Sequence, residues 1–121
     1  MKLFTKEVMD RLEKQGNTRS KKPEEIMVVA KFFNPAGVGT WYVYDYYRPE
    51  DGGELREDGT PEIFTAFANL NDPLCAECGD VSTEELESFK GRFGLGIERE
   101  IGFKPRPLHE IIDKIKSGGH V

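Results

Sequence analysis

IMVVAKFF-NPAGVG-TWYVYDYYR, residues 26–48, decides the fold of this chain. Ile26–Phe33 is β-rich and apolar on both faces, the composition of a central strand with cover on either side. Asn34–Gly39 follows with one proline and two glycines, which supply the restricted and left-handed backbone geometries of a turn. Thr40–Arg48 then gathers tryptophan, four tyrosines, valine and threonine in nine residues, a very strong β composition. Two such runs across a short turn predict an antiparallel hairpin.

Working outward from the hairpin, Thr5 caps a first helix whose Val8, Met9 and Leu12 form one narrow apolar stripe, and Gly16 stops it. Asn17–Lys22 is polar and basic and ends at Pro23, the composition of a mobile connection. Beyond the hairpin, residues 49–60 are acidic and Gly-rich without periodicity, which predicts an exposed loop, and Ile63–Leu70 returns as a third strand. Ser82 and Glu85 have the spacing of a capping box, with Val81 and Leu86 at the positions of a hydrophobic staple, so a second helix starts at Thr83 and runs to near Gly91. Ile97, Arg99, Ile101 and Phe103 alternate with Glu98, Glu100 and Gly102, as in a half-buried strand. Pro105 and Pro107 break that strand, and Leu108, Ile111, Ile112 and Ile115 give the last helix its apolar face before Gly118. The expected architecture is one α+β domain over residues 1–121, with an antiparallel sheet of about four or five strands and three helices packed mainly on one face. Segments 17–23, 49–61 and 117–121 are expected to be flexible.

The length of 121 residues fits one core, and 37% hydrophobic against 32% charged residues suits a folded, soluble chain. The net charge of -5 excludes a uniformly basic nucleic-acid binder. That figure conceals a strong partition: residues 1–44 and 88–121 each stand at +3, whereas residues 45–87 carry 13 acids against Arg48 and Arg56 and stand at -11. Such asymmetry bears on partners and not on fold. No apolar run reaches the length of a signal peptide or a membrane span, so a cytoplasmic location without a membrane partner is expected.

Cys75-Ala76-Glu77-Cys78 is a single C-x-x-C. Zinc needs four ligands, and His109 and His120 lack zinc-finger spacing; a redox pair needs a depressed thiol pKa, which Asp72, Glu77 and Asp80 oppose. Two small buried side chains are therefore expected, with no disulfide, no metal and no cofactor. No Ser-His-Asp or Cys-His neighbourhood marks a nucleophile, so no catalytic residue is assigned and a non-enzymatic role is favoured. Gly91, Gly94 and Gly96 run from helix into strand, the reverse of a phosphate loop, and read as a helix end and turn. Strand alternation predicts an ion pair between Arg99 and Asp45, weighed equally against both being solvated. Tyr42, Tyr44 and Tyr46 share one face of their strand, an exposed binding patch if no helix covers it and core if one does.

The set Phe32-Phe33-Asn34-Pro35, Thr40-Trp41-Tyr42-Val43 and Ile97-Glu98-Arg99-Glu100, within a matching order of segments along nearly the whole chain, resembles domain-of-unknown-function family 2958. The resemblance implies a small bacterial protein frequently encoded on plasmids, phages and other mobile elements, with no established catalytic residues or cofactor. The leading expectation is an accessory protein that binds an unidentified protein partner, using Tyr42, Tyr44 and Tyr46 together with the acidic cluster Glu50, Asp51, Glu54, Glu57 and Asp58. An acidic anti-restriction or anti-CRISPR inhibitor is its concrete form. One alternative is a metal-dependent hydrolase or nuclease-like enzyme using Asp45, Glu98 and Glu100. Another, less favoured, is nucleic-acid binding through the basic terminal segments.

Overall fold

The computed structural model describes residues 2–70 and 72–121. In chain order its main elements are α1 (Lys6–Gln15), β1 (Met27–Val28), β2 (Ala30–Phe33), β3 (Thr40–Tyr46), β4 (Ile63–Asn69), β5 (Glu77–Ser82), α2 (Thr83–Ser88), β6 (Glu98–Arg99), β7 (Arg106–Pro107) and α3 (Leu108–Lys116). They form a single α+β unit whose main sheet has five antiparallel strands in the order β5-β4-β3-β2-β6, beside a two-stranded β1-β7 ribbon.

The predicted hairpin is present, with Ala30 opposite Val43 and Phe33 opposite Thr40. The single strand expected over residues 26–33 divides, however: Met27 and Val28 pair with Pro107 and Arg106, and the main sheet begins at Ala30. Both faces of that sheet are covered. On one, α1 and α2 pack over Phe4, Phe32, Phe64, Val43 and Ala66, and the three phenylalanine rings meet edge-on at 5.3–5.5 Å. Such aromatic pairs add about 0.5–1.5 kcal/mol each beyond area burial. On the other, Leu108, Ile111 and Ile115 of α3 pack onto Tyr42, Tyr44 and Phe67. Two helices thus share one face and the third covers its reverse.

The caps follow the sequence. Thr5 accepts from the Val8 amide, and Ser82 accepts from the Glu85 amide. Gly16 ends α1 at φ +73 with its amide on the Leu12 carbonyl.

Two elements differ from expectation. Of residues 97–103 only Glu98 and Arg99 pair as a strand. The chain then turns at Ile101-Gly102, with Gly102 at φ +79, and carries Phe103 into the α3 core while Ile97 stays in the α1 core. Crossing from one face to the other is incompatible with a straight alternating strand. Conversely, Glu77–Ser82 carries no strand signal, yet forms a six-residue strand against β4. Glu, Gly and Asp are poor β formers, and pairing to Ala68, Phe67, Ala66 and Thr65 holds the segment extended.

Candidate functional site: an acidic-rimmed apolar groove

A cavity of about 970 Å³ lies on the α2 side of the sheet between α2 and the β2–β3 turn. Trp41 and Val38 form one wall, and Leu86 and Phe89 the other, with Ala68 and Val81 between them. Small residues create the depression. Gly79 on β5 lies opposite Ala66, and a Cβ placed on Gly79 would meet nothing within 4 Å. Val38 and Phe89 remain 65% and 42% exposed, so the apolar lining is open to solvent and not sealed as core.

The polar part of the lining is one-sided. Asp72, Glu77 and Glu85 rim the groove, Asp80 borders it at the strand edge with its carboxylate accepting from Thr65 Oγ1 at 2.9 Å on the reverse face, and no Lys, Arg or His stands among the described residues that line it. All four acids belong to the -11 segment, so chain pairing concentrates part of that segment's charge around an apolar trough. An apolar trough with acidic edges favours cationic, partly apolar ligands and repels phosphates. Sequence reasoning missed this site because β5 was not foreseen; the signal available was the cluster of acids and small residues at 77–80.

The structure corrects several expectations for site residues. Tyr42, Tyr44 and Tyr46 are 2%, 8% and 9% exposed, so they form no binding patch. Tyr42 and Tyr44 lie under α3, whereas a β-bulge between Val43 and Asp45 turns Tyr46 onto the α1 face. Burial raises their hydroxyl pKa values, to about 12 for Tyr42 and for Tyr46; Tyr44 is raised further, first by burial and then by the neighbouring Cys78 thiol. Cys75 and Cys78 are both exposed, not the buried side chains expected, because β5 is an edge strand and residues 73–75 form a surface turn before it.

The Arg99–Asp45 pair is replaced by two separate arrangements. Arg99 donates to the Lys2 and Leu3 carbonyls, while Asp45 accepts from the Thr18 amide and hydroxyl and lies 3.4 Å from Arg48. Register explains this: Arg99 stands level with Trp41 across β2, and Asp45 is four residues further along β3, about 13 Å away in the strand direction alone. The same geometry separates Asp45 from Glu98, which is level with Thr40, and Glu100 is engaged by Lys31 at 3.2 Å. Among the described residues no group of three or more His, Cys, Asp or Glu is placed to hold a metal ion.

In the acidic loop, Asp51 pairs with Arg19 at 2.8 Å and Asp58 with Lys2 at 3.3 Å, while Glu50, Glu54 and Glu57 are exposed. Thr60, through its hydroxyl and then its amide, holds the Asp58 carboxyl well below the usual carboxylate range, with Lys2 adding to the effect. No helix of the described residues is long and apolar enough to cross a membrane.

Fold and site together define a small α+β protein with an open, acid-rimmed groove beside a sheet edge. The chain belongs to the family described as protein of unknown function (DUF2958), whose sequence profile matches residues 3–121. No match was found among curated proteins or among solved structures.

Proposed function

We propose that this protein works by binding a cationic segment of a partner protein in the groove between α2 and the β2–β3 turn. The observation that carries this reading is the lining itself: open apolar walls, Asp72, Glu77 and Glu85 on the rim and no base among the described lining residues. The enzymatic alternative loses its support because Asp45 lies apart from Glu98 and Glu100, with Asp45 committed to Thr18 and Arg48 and Glu100 to Lys31. Nucleic acid is disfavoured at the groove by the same acids. An inhibitor of mobile-element origin that occupies the basic cleft of a nucleic-acid-processing defence enzyme is the concrete form in which exposed Glu50, Glu54 and Glu57 also face the partner.

The test is selection of displayed random peptides on the purified protein, counter-screened against a Val38→Ser/Phe89→Ala variant. Enriched sequences rich in Lys or Arg and in apolar residues, which lose binding to the variant, are expected. Enriched sequences no more basic than the starting library, or equal binding to the variant, would overturn the reading.

A further inference from the structure

The main sheet has two edges, and they are finished differently. β6 is two residues long, and Arg99 on it reaches back to the Lys2 and Leu3 carbonyls. β5 is six residues long, with Glu77–Asp80 exposed. Its register leaves backbone groups unpaired. The Thr83 amide donates to the Glu62 carbonyl, so Ile63 and Ser82 face each other as a non-hydrogen-bonded pair. Alternation then turns the backbone of Val81, Gly79 and Glu77 toward β4 and that of Asp80 and Cys78 outward. Among the described residues no group accepts from or donates to those outward amides and carbonyls. These same residues border the groove.

We propose that β5 is a docking edge, along which a cationic, extended segment of a partner adds as a further strand and places alternate apolar side chains in the groove. The inference rests on the groove reading and specifies the conformation of its occupant. Strand addition supplies affinity through main-chain hydrogen bonds and selectivity through pockets for every second side chain. Gly79 supports it, because the open space above its Cα on the groove face leaves room for a side chain from the added strand. The charges select the occupant. A second copy of β5 would set Glu77 and Asp80 against the same acids, which is repulsive, whereas Lys or Arg on the added strand would meet them favourably.

The test uses two synthetic peptides of equal Lys and Val content, one strictly alternating and one rearranged to helical periodicity, titrated against the protein. Trp41, the only tryptophan, lines the groove and reports occupancy by fluorescence. The alternating peptide is expected to bind more tightly and to slow hydrogen exchange of the Asp80 and Cys78 amides. N-methylation of every second peptide amide is expected to weaken binding at least tenfold in one phase and little in the other. Asp80→Pro, which deletes an outward amide, is expected to weaken it similarly relative to Asp80→Asn. Equal binding of the two peptides without amide protection would overturn strand addition and leave the groove reading standing. No Trp41 response to either peptide would overturn strand addition, while the peptide selection decides the groove reading independently. Concentration-dependent dimerisation that protects the same amides would assign the edge to a second copy and overturn the cationic partner.

Discussion

Asp45 and Arg48, three residues apart at the end of β3, form an ion pair with 3.4 Å between Asp45 Oδ1 and Arg48 Nη2, and both residues are buried. Arg48 also stacks on the Tyr46 ring at 4.3 Å and donates to the Leu12 carbonyl, while Asp45 anchors Thr18. The pair ties α1, the connection after it and the central strand into one unit. Removing Asp45 leaves Arg48 only the more exposed Glu13, at 3.4 Å, and strips the buried Thr18 amide and hydroxyl of their acceptor. Asp45→Ala is therefore expected to cost about 3–5 kcal/mol in urea denaturation. The double variant Asp45→Ala/Arg48→Met should recover part of that loss, and a double variant as unstable as the single one would contradict the argument.

Asp58 contributes to the acid limb of the stability curve. Its carboxyl titrates below its unfolded value, so its contribution is present above about pH 4 and is lost as the pH falls. Melting temperatures of Asp58→Asn measured from pH 2 to 6 should be lower than those of the parent near pH 6 and converge with them in acid. Parallel curves would remove Asp58 from the account.

The alkaline limb belongs to the tyrosines. Burial raises Tyr42 and Tyr46 from 10.0 to about 12 in the folded protein, so the unfolded chain ionises first. Stability should hold up to about pH 10 and fall between pH 10 and 12. Tyr46 donates its hydroxyl to Glu13, and Tyr46→Phe should flatten part of that fall. Tyrosinate absorbance followed with Trp41 fluorescence checks the order of events: ionisation of these groups should accompany unfolding and not precede it.

Two glycines should respond oppositely to alanine. A Cβ on Gly53 would collide with the Tyr47 carbonyl group, so Gly53→Ala must displace the loop and is expected to cost about 1–3 kcal/mol. On Gly79 it meets open space, and Gly79→Ala should be neutral or stabilising by up to about 1 kcal/mol through the unfolded chain. Thermal denaturation of both variants decides, and equal losses would contradict the difference in packing.

The hairpin, the two caps at Thr5 and Ser82 and the apolar stripe Leu108-Ile111-Ile115 were legible because each depends on neighbours within a few residues. The groove was not. Its walls come from the β2–β3 turn and α2, and its edge is a strand that exists only because β4 supplies hydrogen-bond partners. The Tyr46 face was misread because a single extra residue at Tyr44 reverses side-chain alternation, and strand periodicity carries no mark of a bulge; the Asp45 partner was misread because the register that sets Arg99 level with Trp41 is fixed only by pairing across β2.

Local chemistry alone thus determined an α+β chain with an aromatic central hairpin, three helices and a -11 middle segment. Tertiary structure decided where that charge falls. Some of it is paired within the chain, Asp45 with buried Arg48 and Asp51 with exposed Arg19. Another share, on Asp72, Glu77 and Glu85, rims an apolar trough beside a strand edge that has no partner among the described residues. Charge sums along a chain are fixed by composition, but the field a partner meets depends on which acids the fold pairs and which it leaves facing solvent.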